Sequence, residues 1–282
     1  MRVRIDDVML YVDVDGCELV PDGDRMANRP TLVLLHGGPG ADHSLFKPEF
    51  GAVTDTAQVV YLDQRGSGRS DLGGPETWTW ERWADDVAIL CGALGIARPI
   101  LLGTSSGGLV AMYCAARHPS LVAGLVLDST LGVPTTIDET LEVFAHRGGP
   151  LAREAARRYL GGDMTPAATG AWERYALPVY GHDPQPRRAR ALINDDVQTH
   201  FRTGGCGPGD AAAIAASIVC PTLILAGADD PVCPAVGAGR LAAQLTNAAV
   251  DTHVLTGVGH GVFRQAPHRS FALLREFLAG VK

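Results

Sequence analysis

Short apolar runs recur along the chain at intervals. Residues 31–36, 58–63, 99–103, 124–128 and 221–227 are rich in Val, Ile and Leu, and each run is bounded by Gly, Pro or polar residues. Five or six consecutive apolar positions bury both faces of a strand, which suits a parallel sheet covered by helices on either side. Helical spacing appears between them. Within 79–94, Trp83, Val87, Leu90 and Leu94 fall on one face. The stretch 106–118 is small and apolar, with Pro119 after its end. Strand and helix in alternation predict an α/β fold with a mostly parallel sheet. The segment up to Gly16 alternates like an antiparallel hairpin at the sheet edge. Residues 269–278 read as a closing amphipathic helix.

The rhythm breaks between 131 and 209, where no β-run occurs. Helical segments are expected near 137–145, 151–160, 168–176 and 194–201, with Gly/Pro joints. Acidic and Arg residues are equal there, nine each. A connection this long reads as an inserted unit rather than a loop. The chain therefore divides into a core of 1–130 and 210–282 and a helical insertion of 131–209.

Composition narrows the function. Of 282 residues, 46% are hydrophobic, enough to bury a full core, which excludes disorder as the main state. Net charge is −7, and the densest basic stretch, at Arg188 and Arg190, is short, so no basic face for nucleic acid is expected. The first residues carry no apolar leader, and stretches such as 108–116 are far short of a bilayer span. A cytoplasmic protein without membrane contact is expected. Six cysteines show neither CxxC nor zinc spacing, and nine histidines lack paired spacing, so neither disulfides nor metal are expected. No phosphate-binding glycine motif follows a strand, so no nucleotide cofactor is expected. Oligomeric state is open.

Gly103-Thr104-Ser105-Ser106-Gly107 is a G-x-S-x-G sequence lying between an apolar run and a helical pattern. A tight turn there lifts one side chain clear of the sheet, and its glycines let strand and helix backbones approach. A serine hydroxyl becomes a useful nucleophile only when a base takes its proton. His260, in Gly257-Val258-Gly259-His260-Gly261, follows the apolar stretch 250–255 and can reach inward from a glycine loop. Asp230 follows the run 221–227, where carboxylates face the ligand crevice. We therefore take Ser105, Asp230 and His260 as the catalytic candidates. His36-Gly37-Gly38-Pro39-Gly40 follows the first buried run. Gly38 and Ser106 are the expected oxyanion donors. His36 and Arg65 are read as braces for their loops.

The segments His36-Gly37-Gly38-Pro39-Gly40 and Asp63-Gln64-Arg65-Gly66-Ser67-Gly68-Arg69-Ser70, with the elbow, a G-x-x-D motif ending at Asp230 and the late glycine–histidine loop, resemble the prolyl aminopeptidase branch of the α/β-hydrolase fold superfamily. The order Ser105, Asp230, His260 agrees. The resemblance implies an eight-stranded, mostly parallel sheet flanked by helices, with a helical cap inserted after the sixth strand. It implies a serine hydrolase acting through an acyl-enzyme that releases an N-terminal residue from a Pro-X amide in a small-molecule or short-peptide substrate, without a cofactor. An esterase, lactonase or amidase with the same triad is the alternative, and a non-catalytic small-molecule-binding relative is the third reading.

Two positions depart from the family pattern. The family usually has an aromatic residue after the nucleophile, where this chain has Ser106. The family's amine-binding cap glutamate aligns with Ala176, and Glu173 substitutes only if the helix turns. Glu142, Glu154 and Glu173 are the candidate amine ligands. Trp172, Tyr175, Tyr180 and Phe201 are expected in a small cap core. Glu173, Trp172 and Tyr175 are the substrate-binding candidates.

Overall fold

The computed structural model describes residues 1–130, 136–182, 191–207 and 209–281. The opening period-two pattern forms β1 (Arg2–Ile5) and β2 (Val8–Asp15), an antiparallel pair. A short exposed hairpin follows, β3 (Leu19–Asp22) with β4 (Arg25–Asn28). The apolar runs form β5 (Thr31–Leu35), β6 (Gln58–Asp63), β7 (Ile100–Thr104), β8 (Gly124–Asp128) and β9 (Thr222–Gly227), and β10 (Val250–Leu255) closes the edge. Eight of these strands make one sheet in the order β1-β2-β6-β5-β7-β8-β9-β10. From β6 to β10 every pairing is parallel.

Side chains alternate across the sheet, so each buried strand feeds two cores. Val33, Leu35, Leu101 and Leu127 face α1 (Trp80–Leu94) and α2 (Ser106–Arg117). Leu32, Leu34, Leu102 and Val126 face Phe46, Phe50 and α9 (Pro267–Gly280). Thr79 caps α1 by accepting from the Arg82 amide, and Gly95, at φ +72°, ends it.

Between β8 and β9, the sixth and seventh strands of the sheet, come α3 (Ile137–Leu160), α4 (Pro166–Ala171), α5 (Asp195–Arg202) and α6 (Ala211–Ser217). The expected helices 137–145 and 151–160 run on as one element, broken at Gly149 (φ +73°) just before Pro150. The stretch expected as a helix over 168–176 starts at Pro166 and passes at Trp172 into a π-helical turn, Trp172–Ala176, with a 3-10 turn, Leu177–Val179, after it. Helix α3 and the π-helical turn share their own apolar cluster, built on Phe144, Tyr159 and Trp172, whereas α5 and α6 send Val197 and Ala215 into the core under α1 and α2. Phe201, expected in the cap core, instead packs on Trp80 and Trp83 because α5 turns that face to the main core. After β9 come α7 (Ala235–Gln244) and α8 (Val262–Gln265). Arg188, Arg190 and the start of the insertion at 131 lie outside the described residues. Among the described residues no helix is long and apolar enough to cross a membrane, and all six cysteines are free.

Candidate active site

Strand β7 delivers Ser105 to the C-terminal edge of the sheet, in a sharp turn before α2. Ser105 has φ +57° and ψ −125°, a backbone geometry that L residues rarely adopt. Its surroundings hold it there. The Ser105 amide donates to the Asp128 carbonyl (2.9 Å), and the Thr130 hydroxyl donates to the Ser105 carbonyl (3.1 Å). A β-carbon on Gly103 would run into the Gly107 backbone, and one on Gly107 into the Leu35 carbonyl. One on Gly37 would lie 2.9 Å from the Ser105 Cβ. The glycine turn after β5 therefore sits directly against the serine. Ser106 is the first residue of α2, so its amide has no partner within the helix and stands at the positive end of the dipole. Gly38 lines the same cavity.

The two adjacent aspartates after β9 part company. Asp230 is buried, and its Oδ1 accepts from the amides of Val232 and Cys233, both at 2.8 Å. This leaves Oδ2 for His260 Nδ1, also at 2.8 Å. An imidazole donating from Nδ1 keeps a basic lone pair on Nε2. Asp229 is turned outward, paired with His182 Nε2 at 3.0 Å, and its carbonyl accepts from Arg147. The His260 ring packs edge-on against Tyr180 at 5.2 Å, and its amide donates to the Tyr180 carbonyl at 2.6 Å. The segment after the π-helical turn thus steadies the histidine from above. Ser105, His260, Gly37 and Gly38 line one cavity of about 380 Å³, whose apolar wall includes Phe46, Phe50 and Phe263.

Asp128, at the end of β8, was missed by the sequence reading and also lines this cavity. It accepts from Thr104 Oγ1 (3.0 Å), Ser129 Oγ (2.9 Å) and the Val262 amide (3.0 Å). Ser129 Oγ in turn accepts from the Gly261 amide at 2.9 Å. Asp128 and Ser129 so tie the histidine loop to the elbow strand. Burial raises the Asp128 carboxyl above the ordinary carboxylate range. A strand-ending aspartate gives no hint of this in sequence. Cys233 is the other unforeseen neighbour. Its sulfur and the ligand atoms of Asp230 and His260 lie within 4.8 Å of one another. Burial pushes its thiol well above its ordinary pKa, so it is held protonated. Asp230 and His260 are already bonded to each other, so this group is not an open metal cradle.

The glycine turn is braced from behind. The Gln64 amide donates to His36 Nε2 at 3.2 Å, which leaves Nδ1 to donate to the Gly37 carbonyl at 3.0 Å. Burial lowers the His36 pKa. Arg65 is fully buried and makes bidentate pairs with Asp86 (2.7 and 2.9 Å) and Asp7 (3.0 Å each). The charged segment after β6 is scaffold beneath the site.

The three substrate-binding candidates separate. Glu173 lines the cavity, from the π-helical turn. Trp172 does not. It is buried in the insertion's own core, stacked on Tyr159 at 4.4 Å, because so large an apolar ring packs best there. Tyr175 also packs against that core, with Arg174 over its ring, and is not among the lining residues. Glu142 and Glu154 lie on exposed helix faces, paired with Arg153 and Arg157. Ala176 is buried. Gln198 and Arg202 of α5 line the cavity and were not anticipated, since nothing in the sequence fixes which face of α5 looks down.

Residues 30–147 match the family model described as alpha/beta hydrolase fold. A protein named "Putative carbamate hydrolase RutD" from Caulobacter sp. (strain K31) is 28% identical over 277 residues, 95% of this chain and 97% of that protein. The proline iminopeptidase of Lactobacillus helveticus (strain DPC 4571) is 28% identical over 274 residues, 91% of this chain and 92% of that one. The crystal structure of the proline iminopeptidase of Mycobacterium smegmatis superposes with a TM-score of 0.73 at 21% identity, covering 99% of this chain and 97% of that chain. With its strand order, its elbow and its glycine turn, the chain has the α/β-hydrolase fold, and it is similar to the prolyl aminopeptidases.

Proposed function

We propose that the protein is a serine hydrolase that works through an acyl-enzyme. Ser105 Oγ attacks the acyl carbon while His260 Nε2 takes its proton. His260 then gives that proton to the leaving group, and a water activated by the same imidazole releases the acyl group. Asp230 holds the imidazole in the Nδ1–H tautomer. The Gly38 and Ser106 amides take the negative charge of the tetrahedral intermediate, where one donor contributes about 3 kcal/mol in other enzymes. The observation that carries the reading is the 2.8 Å bond between Asp230 and His260 Nδ1, in the cavity that Ser105 also lines.

The substrate reading is release of an N-terminal residue from a short peptide, with the helical insertion acting as a cap and Glu173 taking the free amine. Its support is the place of Glu173 on the cavity wall. A small ester, lactone or amide is the second reading. It is favoured by Ser106 after the nucleophile and by a buried Ala176 where the aminopeptidases carry their glutamate.

The test is kcat/KM for a proline arylamide and for its N-acetyl form, with Ser105→Ala as blank. A preference for the free amine of tenfold or more supports the aminopeptidase reading. Cleavage of a short-chain aryl ester with neither arylamide cut selects the second. In both, Ser105→Ala lowers turnover by a factor on the order of 10⁴. A loss under tenfold identifies the wrong nucleophile.

A further inference from the structure

The roof of the cavity carries polar groups that the acyl-transfer chemistry leaves unused. Gln198 and Arg202 stand one helical turn apart on α5, and both line the cavity. Gln198 is only 3% exposed. Its Oε1 accepts from the Tyr159 hydroxyl at 3.2 Å, and its Nε2 has no hydrogen-bond partner. Interiors rarely leave such a donor unpaired, and those that do often sit where a ligand binds. The Arg202 guanidinium lies 4.4 Å over the Tyr159 ring, and its buried Nε is likewise unpartnered. Arg202 pairs with no carboxylate among the described residues. Arg264, the other arginine on the cavity, is engaged with the His260 carbonyl at 3.0 Å.

Tyr159 therefore positions both groups, its hydroxyl fixing the amide and its ring supporting the guanidinium. It is itself stacked on Trp172 at 4.4 Å. The helix that carries them is tied to the glycine turn. The Asn194 amide donates to the Gly40 carbonyl, and Asn194 Nδ2 to the Gly66 carbonyl, both at 2.8 Å. The free donors thus stand at a fixed place relative to Ser105 and its expected oxyanion site.

These donors, one planar and cationic and one neutral, match a carboxylate. A guanidinium takes both carboxylate oxygens along its fork, and an amide N–H adds a further bond. A neutral ester or amide oxygen would satisfy Gln198 but leave the cation unpaired, and an ammonium would be repelled. We propose that Gln198 Nε2 and Arg202 form a carboxylate-binding subsite, so that the preferred substrates are small amides or esters that carry a free carboxylate. This rests on the hydrolase reading above. With Glu173 on the same cavity, an unblocked short peptide fits at both of its charged ends.

Two matched substrate pairs test the subsite: mono-p-nitrophenyl succinate against its methyl ester, and prolyl-alanine against prolyl-alanine amide. The first puts the carboxylate on the acyl side, the second on the leaving side. The free acid is preferred by about tenfold or more in kcat/KM in at least one pair. Arg202→Met and Gln198→Leu each collapse that ratio, and Arg202→Lys keeps part of it. Arg157→Met, on an exposed face, leaves the ratio as it is. Hydrolysis with no preference in either pair, or a preference that survives both Arg202→Met and Gln198→Leu, overturns the proposal. Gln198→Leu nearly conserves volume and decides the matter if Arg202→Met does not fold. Calorimetric titration of succinate into the Ser105→Ala protein separates the two claims. Binding that Arg202→Met abolishes, in a protein that hydrolyses none of these substrates, upholds the subsite and sinks the hydrolase reading. Hydrolysis without preference and without succinate binding does the reverse.

Discussion

Ser105 holds a left-handed backbone because its neighbours leave it no alternative. Its own amide, its carbonyl and two flanking glycines are all engaged by adjacent strands. The residues behind it carry the burden quietly, and His36 is the clearest case. It accepts from the Gln64 amide at Nε2 and donates from Nδ1, so it must be neutral in the fold. Its pKa is lowered from the ordinary 6.5, chiefly by burial. The unfolded chain therefore binds a proton at His36 that the folded one refuses. The stability this gives is full above pH 6.5 and is lost as pH falls below it, by up to about 1.4 kcal/mol per pH unit. Urea unfolding at pH 7.5 and 5.5 checks this. His36→Asn, less stable at the higher pH, removes part of the pH-dependent loss. An unchanged pH dependence would assign that loss elsewhere. Ser105, Asp230 and His260 were legible as candidates because each sits in a local glycine-bearing motif. Asp128, Gln198 and Arg202 were not, because their roles arise only where a strand end and a distant helix converge.

Elements follow from periodicity where burial is two-sided. The parallel strands β5 to β9 were visible as unbroken apolar runs, since helices cover both of their faces. The hairpin of β3 and β4 was invisible because it is exposed and packs on neither core face. Helices α6 and α7 were hidden for a related reason: their Ala-rich faces bury little besides alanine and a few aliphatic side chains, so no stripe stands out. The joint read at Gly149 and Pro150 is the kink of α3, where Gly149 leaves helical geometry (φ +73°) and two helical runs meet. At the elbow the fit between elements is steric. Gly107→Ala pushes a methyl group into the Leu35 carbonyl at the β5–α2 contact. It is expected to lower the unfolding free energy by about 1–3 kcal/mol and to cut turnover with it. Equilibrium denaturation beside an activity assay measures both, and a variant of unchanged stability would mean that α2 is less tightly docked than described.

At the scale of the whole molecule, three apolar clusters divide the labour. Two sandwich the sheet and fix the strand ends that carry Ser105, Asp128 and Asp230. The third belongs to α3 and the π-helical turn; together with α5, which is anchored in the main core through Val197, these elements supply Glu173, Gln198, Arg202 and the Tyr180 contact to His260. The division explains why chemistry was easier to read than substrate. The proposed machinery lies at strand ends in a common fold, whereas the wall above it is built from helices whose facing residues are decided by packing. The central claim is that Ser105 is a nucleophile activated within this cavity. It is tested most directly by intact-mass measurement after treatment with a fluorophosphonate ester, an acylation mimic that needs no knowledge of the substrate. The account predicts one adduct per chain, on Ser105, absent from Ser105→Ala and strongly slowed in His260→Ala. A folded protein that takes no adduct, or takes it on another residue, would contradict it.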